Sequence, residues 1–218
     1  MRVALTTLSL VVALTLAACG DDGKQGATTA AVGEVCDEAA APQPKQVDID
    51  PPPSRPSAEG LVAVVETSCG SFEIALATRG NPKTTASFEH LAEVGAYDNT
   101  LWNRIVPGFV IQGGDPTGTG NGGPGYSVDE PPPADTEYTK GVVAMTKTEA
   151  EPPGRSGSQF FVVSGVDAGL PAQYAIVGKV TTGFDVVQTI DGFGDPQAGD
   201  AGTPLEPVLI DSVTIEER

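Results

Sequence analysis

The chain has 218 residues, 39% of them hydrophobic, which allows one well-cored domain with tails. Its formal net charge of -17 repels a phosphate backbone and argues against nucleic-acid binding. A single histidine, His90, gives a histidine-based metal site or a Ser-His-Asp triad little to work with, and the 27 glycines and 19 prolines point to a loop-rich fold rather than a helical bundle.

Arg2 and the apolar run Val3–Leu16 have the form of an export leader, too short for a membrane span. The run ends in Leu16-Ala17-Ala18-Cys19, which resembles the bacterial lipobox. That resemblance implies cleavage before Cys19 and lipidation of its thiol, so residues 1–18 are expected to be a signal peptide. The mature chain is then expected to be an exported lipoprotein, held on a membrane of the bacterial cell envelope through Cys19. Acyl chains add ~0.8 kcal/mol per buried CH₂. An ordinary secretory leader with a chance cysteine is the other reading. With Cys19 assigned to lipid, Cys36 and Cys69 remain. An even remainder in an oxidising compartment suggests a disulfide stapling tail to domain; two free thiols are the alternative.

Residues 19–59 read as a lipidated tether, largely disordered. They are rich in Ala, Gly, Asp, Thr and Pro, with Pro51-Pro52-Pro53 and Pro56, and hold few large apolar residues. The domain is expected over 60–218. Leu61–Thr67 and the alternating Ser71–Thr78 form a hairpin around Ser68-Cys69-Gly70. Asn81-Pro82 starts a helix carrying Phe88, Leu91 and Val94, which Gly95 ends. His90 lies on it beside Glu89 and Glu93 and reads as a solvated helical histidine. Short apolar runs follow at Leu101–Val106, Phe109–Gln112, Val142–Met145, Phe160–Ser164, Ala175–Val180 and Val208–Ile215, with a second, short helix over Gly183–Ile190. The pattern predicts a mainly β fold, a closed barrel of about eight antiparallel strands capped by two helices. Such a barrel is filled by its own side chains, so a ligand site belongs on its outer surface or under loops.

Chemistry concentrates in Trp102-Asn103-Arg104-Ile105-Val106-Pro107-Gly108-Phe109-Val110-Ile111-Gln112-Gly113-Gly114-Asp115. Two further blocks follow, Gly157-Ser158-Gln159-Phe160-Phe161 and Tyr174-Ala175-Ile176-Val177-Gly178-Lys179-Val180. In content and order the three resemble the signatures of the cyclophilins, from about Leu61 to Glu216. The resemblance implies a peptidyl-prolyl cis/trans isomerase that acts on proline-containing polypeptides and needs neither metal nor cofactor. It assigns Arg104, Gln112 and Phe109 to catalysis, and Val110, Thr146, Lys147, Gln159, Phe161, Leu170 and Tyr174 to substrate binding. A monomer is expected. The rival reading is a non-catalytic module of the cell envelope that binds or chaperones proline peptides.

The residue types suit that chemistry. A twisting X–Pro amide breaks no bond, so only its twisted form need be bound more tightly. A rigid, always charged guanidinium can donate to it, and apolar walls can hold the proline ring. Phe109 and Val110 are sequence neighbours, so a regular strand would turn only one of them into the pocket unless a bulge intervenes or one sits at the rim. Three positions depart from the family. Gly169 precedes Leu170 where Trp is common, Tyr174 stands where His is common, and Met145-Thr146-Lys147 replaces Met-Ala-Asn. The last segment is one that the family pairs with substrate through its backbone. Gly118, Gly120 and Gly123 satisfy G-x-G-x-x-G, but Pro124-Gly125 follows instead of a helix, so this reads as a surface loop.

Overall fold

The computed structural model describes residues 36–45, 47–53 and 58–218. The expected leader and Cys19 lie outside them, and among them no helix is long and apolar enough to cross a membrane.

In chain order the elements are β1 (Leu61–Thr67), β2 (Gly70–Leu76), α1 (Pro82–Glu93), β3 (Thr100–Leu101), β4 (Arg104–Val106), β5 (Val110–Gly113), β6 (Val128–Asp129), β7 (Val142–Met145), β8 (Arg155–Ser156), β9 (Phe160–Val163), β10 (Ile176–Thr182), α2 (Phe184–Asp191) and β11 (Leu209–Glu217). The described pairings are all antiparallel and build one nine-stranded sheet, ordered β3-β11-β1-β2-β10-β7-β9-β5-β4, plus the small ribbon β6-β8. The fold is thus mainly β with two helices. The expectation of a closed eight-stranded barrel needs correction: the sheet has nine strands, and no ladder among the described residues joins its end strands β3 and β4. The run expected over Leu101–Val106 is two strands because the chain changes partner within it. Leu101 pairs with Leu209 of β11, and Arg104 pairs with Gln112 of β5.

Strand alternation divides the sheet's residues between two clusters. Ile105, Ile111, Val162 and Val143 stand opposite one another across β4, β5, β9 and β7, and all four join the main core. Trp102 and Phe160 meet edge to face there at 5.5 Å. Helix α1 packs against β10 and β11, and α2 against β2, β4 and β5. Phe88 and Leu91 of α1 are fully buried, each worth roughly 1.5–3 kcal/mol. Asn81 precedes α1 as expected, but its side chain makes no capping bond. Glu130 supplies the acceptor instead, its carboxylate taking the N–H groups of Lys83 and Thr84 at 3.2 and 2.7 Å. The remaining neighbours of these inward residues face the other way and build the site.

The stretch expected as a tether is laid along the domain over residues 36–45 and 47–53. Cys36 is disulfide-bonded to Cys69, and the Asp37 N–H donates to the Ser68 carbonyl at 2.7 Å. His90, expected to face solvent, hydrogen-bonds through Nε2 to the Asp50 carbonyl at 3.0 Å.

Candidate active site

The site is a consequence of register. Arg104, Gln112, Phe161, Ala144 and Ile176 are successive cross-strand partners on β4, β5, β9, β7 and β10, so their side chains share one face. Val110, two residues before Gln112, lies on that face and pairs with Val163. Val110, Ala144, Phe161 and Val163 form a second apolar cluster, separate from the main core, with Phe109, Leu170 and Tyr174 packed against it. The alternation conflict at Phe109 is resolved because Phe109 precedes β5, at the end of the turn Pro107-Gly108-Phe109. Gly108 takes φ 70° there, and Phe109 sits half-buried at the rim while Val110 is buried.

One open groove of about 1100 Å³ is lined by all ten residues named from sequence: Arg104, Phe109, Val110, Gln112, Thr146, Lys147, Gln159, Phe161, Leu170 and Tyr174. Arg104 is half-buried. Its Nε donates to the Asp200 carbonyl at 2.9 Å, and Nη1 reaches Gln112 Oε1 at 3.5 Å. The guanidinium carbon lies 5.9 Å from the centroid of the Phe109 ring. Burial lowers the arginine's pKa from its ordinary value, opposed by the nearby negative charge of Asp200. Arginine nevertheless stays a cation at neutral pH.

Behind the arginine runs a relay of amides. Gln112 Nε2 donates to Gln159 Oε1 at 3.0 Å, and Gln159 Nε2 donates to the carbonyls of Gly120 and Gly122 at 3.0 and 2.9 Å. Each acceptor fixes the flip of the next amide, so both glutamine oxygens point back along the relay toward Arg104. The G-x-G-x-x-G segment therefore works as the relay's anchor. Asp115 organises it by accepting from Thr117 N and Oγ1, both at 2.8 Å, and from Gly120 N at 2.5 Å. A Cβ on Gly122 would lie 2.0 Å from Asp115 Oδ1.

The apolar wall is aromatic. Phe161 and Tyr174 meet edge to face at 5.5 Å, and Tyr138 backs both, its ring centroid 6.2 Å from Phe161 and 5.8 Å from Tyr174. Tyr138 was not singled out from sequence. Its hydroxyl donates to the Tyr174 carbonyl and accepts the Tyr174 N–H, both at 2.8 Å. No motif marks it; a lone tyrosine after an acidic loop carries no distance information. At the end of β7 the Thr146 N–H donates to the Gln159 carbonyl at 2.9 Å. Lys147 folds its ammonium onto the carbonyls of Thr148 and Glu151, at 2.9 and 3.0 Å. Gly169 has φ 59°, with nothing within 4 Å of where a Cβ would stand.

The chain compares closely with known proteins. The family described as "Cyclophilin type peptidyl-prolyl cis-trans isomerase/CLD" matches residues 62–215. The "Probable peptidyl-prolyl cis-trans isomerase A" of Mycobacterium leprae is 34% identical, over 72% of this chain and 93% of its own length. "Peptidyl-prolyl cis-trans isomerase B" of Streptomyces anulatus is 36% identical, over 74% of this chain and 99% of its own. A crystal structure of a cyclophilin-type isomerase from Cryptosporidium parvum superposes with TM-score 0.64 at 31% identity, covering 72% of this chain and 98% of that one. The same Cryptosporidium protein has been solved in the presence of the dipeptide Ala-Pro. With the five-strand register, polar relay and aromatic wall all in place, the chain belongs to the cyclophilin-type peptidyl-prolyl cis-trans isomerases, an enzyme family.

Proposed function

We propose that this isomerase acts on X–Pro bonds of exported polypeptides, with Arg104 stabilising the twisted prolyl amide. The supporting observation is the relay Gln159–Gln112–Arg104 standing beside the Phe161–Tyr174 wall. A planar peptide bond resists rotation by ~18–20 kcal/mol because twisting breaks its resonance. As the bond twists, the prolyl nitrogen becomes pyramidal and regains a lone pair. A guanidinium donor aimed at that nitrogen, or at the adjacent carbonyl oxygen, binds the twisted form better than either planar one. Nε is committed to Asp200 and Nη1 to Gln112, while Nη2 has no protein partner among the described residues and is left for substrate. The bonds to Asp200 and Gln112 hold the fork in place before substrate arrives, which is what electrostatic preorganisation requires. Val110, Phe161, Leu170 and Tyr174 take the proline ring, and Phe109 closes the rim. No proton or bond needs to be transferred, so no base or nucleophile is called on.

The envelope setting rests on the leader and Leu16-Ala17-Ala18-Cys19. Under this reading residues 1–18 are removed and the lipidated Cys19 carries the chain beginning at 19, with the isomerase domain over 60–218. Mass spectrometry of the mature N-terminus tests the anchor: a diacylated or triacylated Cys19 is expected, and an uncleaved, unmodified chain refutes it. For the activity, exchange NMR on an Ala-Pro peptide is measured with the parent chain and with Arg104→Ala. Losing one preorganised donor site is expected to lower kcat/KM by roughly 10²–10³. An unchanged rate in Arg104→Ala refutes the role of the arginine, and no acceleration by the parent chain refutes the activity.

A further inference from the structure

Lys45, Val47 and Ile49 are half-buried, whereas Asp48 and Asp50 are exposed. That period of two is the pattern of an extended chain lying with one face on a support. Its support is the glycine-rich loop. The N–H groups of Lys45 and Ile49 donate to the carbonyls of Pro116 and Pro124, both at 2.9 Å, at the two ends of that loop. The Lys45 ammonium reaches the Asp98 carbonyl at 2.6 Å, and Ile49 packs on the main core. At Gly125 the approach is so close that a Cβ would lie 2.6 Å from Asp48 Oδ1. Upstream, the Cys36–Cys69 disulfide ties the same segment to the β1–β2 turn. Between these attachments Val47 lines the substrate groove together with Pro124, Tyr126 and Lys147. Val47 lies outside the aromatic cluster that takes the proline ring, so a substrate residue flanking the X–Pro unit is what it meets.

We infer that this strap is a built-in wall of the substrate groove, and that Val47 is a specificity-determining residue favouring an apolar side chain on one flank of the X–Pro bond. The inference rests on the isomerase reading.

Two peptide series test it on the full chain, one varied two residues before an Ala-Pro unit and one varied two residues after it, each with Ala, Leu or Glu. Both kcat/KM by exchange NMR and Kd by titration are measured. In the parent, one series prefers Leu over Glu. Val47→Ala shrinks that preference by roughly 3-fold and Val47→Lys by roughly 10-fold or more, in the range of small hydrophobic-pocket changes. Leu/Glu ratios within twofold of the parent in both variants, in both series, overturn the inference. If the parent binds the peptides but accelerates none, the isomerase reading fails, and the Kd ratios still decide the role of Val47.

Discussion

Tyr138→Phe separates the aromatic wall from the arginine. The substitution keeps the ring, and so its contacts with Phe161 and Tyr174 at 6.2 and 5.8 Å. It removes one oxygen that makes two hydrogen bonds of 2.8 Å to the backbone of Tyr174. Tyr138 is 1% exposed, so water replaces neither bond without opening the wall. At a net cost of about 1 kcal/mol per bond, the variant loses about 2 kcal/mol of stability. For a domain of this size that is roughly 4–8 °C in Tm, by calorimetry. Tyr174, released from its clamp, no longer holds a fixed position against Phe161, and kcat/KM on an Ala-Pro peptide is expected to fall roughly 3- to 10-fold, measured well below the lowered Tm. An unchanged Tm shows that the hydroxyl does not seat Tyr174. A lowered Tm with unchanged kcat/KM shows that the bonds are structural only and that the wall's position does not limit catalysis.

Other perturbations probe the relay and its anchor. Gln159→Leu removes the acceptor of Gln112 and the link to the Gly120 and Gly122 carbonyls. It should lower kcat/KM roughly tenfold, about 1.4 kcal/mol in the barrier, with wild-type activity refuting the relay. Burial alone would raise the Asp115 pKa, but hydrogen bonds from Thr117, Gly122 and Gly120 outweigh it and leave it below the ordinary carboxylate value. A carboxyl lowered on folding contributes stability above its unfolded pKa of ~3.9, and that stability disappears as pH falls through the folded value. Tm should therefore decline below about pH 4, with a shallower decline in Asp115→Asn; equal slopes would refute the assignment. Gly169→Trp forces a side chain into the left-handed region at φ 59° and should cost roughly 1–2 kcal/mol in urea unfolding, whereas an unchanged midpoint would show that the loop relaxes freely.

Much of the site was legible because three sequence blocks resemble the cyclophilin signatures, and the sheet's own period agrees with that assignment. In the run Arg104 to Gln112, Ile105 and Ile111 go to the core while Arg104, Val110 and Gln112 go to the groove, which is the two-residue alternation of a strand. Glycines at the run's end were legible as residues but not as causes. Gly113 and Gly114 are there because a Cβ would meet the Leu101 and Ser158 carbonyls at 2.9 and 2.8 Å, contacts made only once distant segments have closed on each other. Tyr138 was illegible for the same reason. Its partner is 36 residues away, and nothing local distinguishes a clamp from an ordinary core tyrosine.

Over residues 36–45 and 47–53 the expected tether is a strap laid on the domain. A segment rich in Pro, Ala and Asp cannot bury a core of its own, and the composition argument for a free tether is sound as far as it goes. What it leaves out is that a segment needs no core if its backbone finds acceptors already in place. The strap uses the carbonyls of Pro116, Pro124 and Ser68, a disulfide at Cys69, and one half-buried apolar anchor, Ile49. Ordering such a segment costs roughly 1–2 kcal/mol per residue in backbone entropy, which a handful of hydrogen bonds does not offset. The cross-link matters because it limits the freedom of the unattached chain before any of those bonds form. Val47 is therefore held over the groove by cooperation between a covalent staple and weak contacts, and composition registers neither.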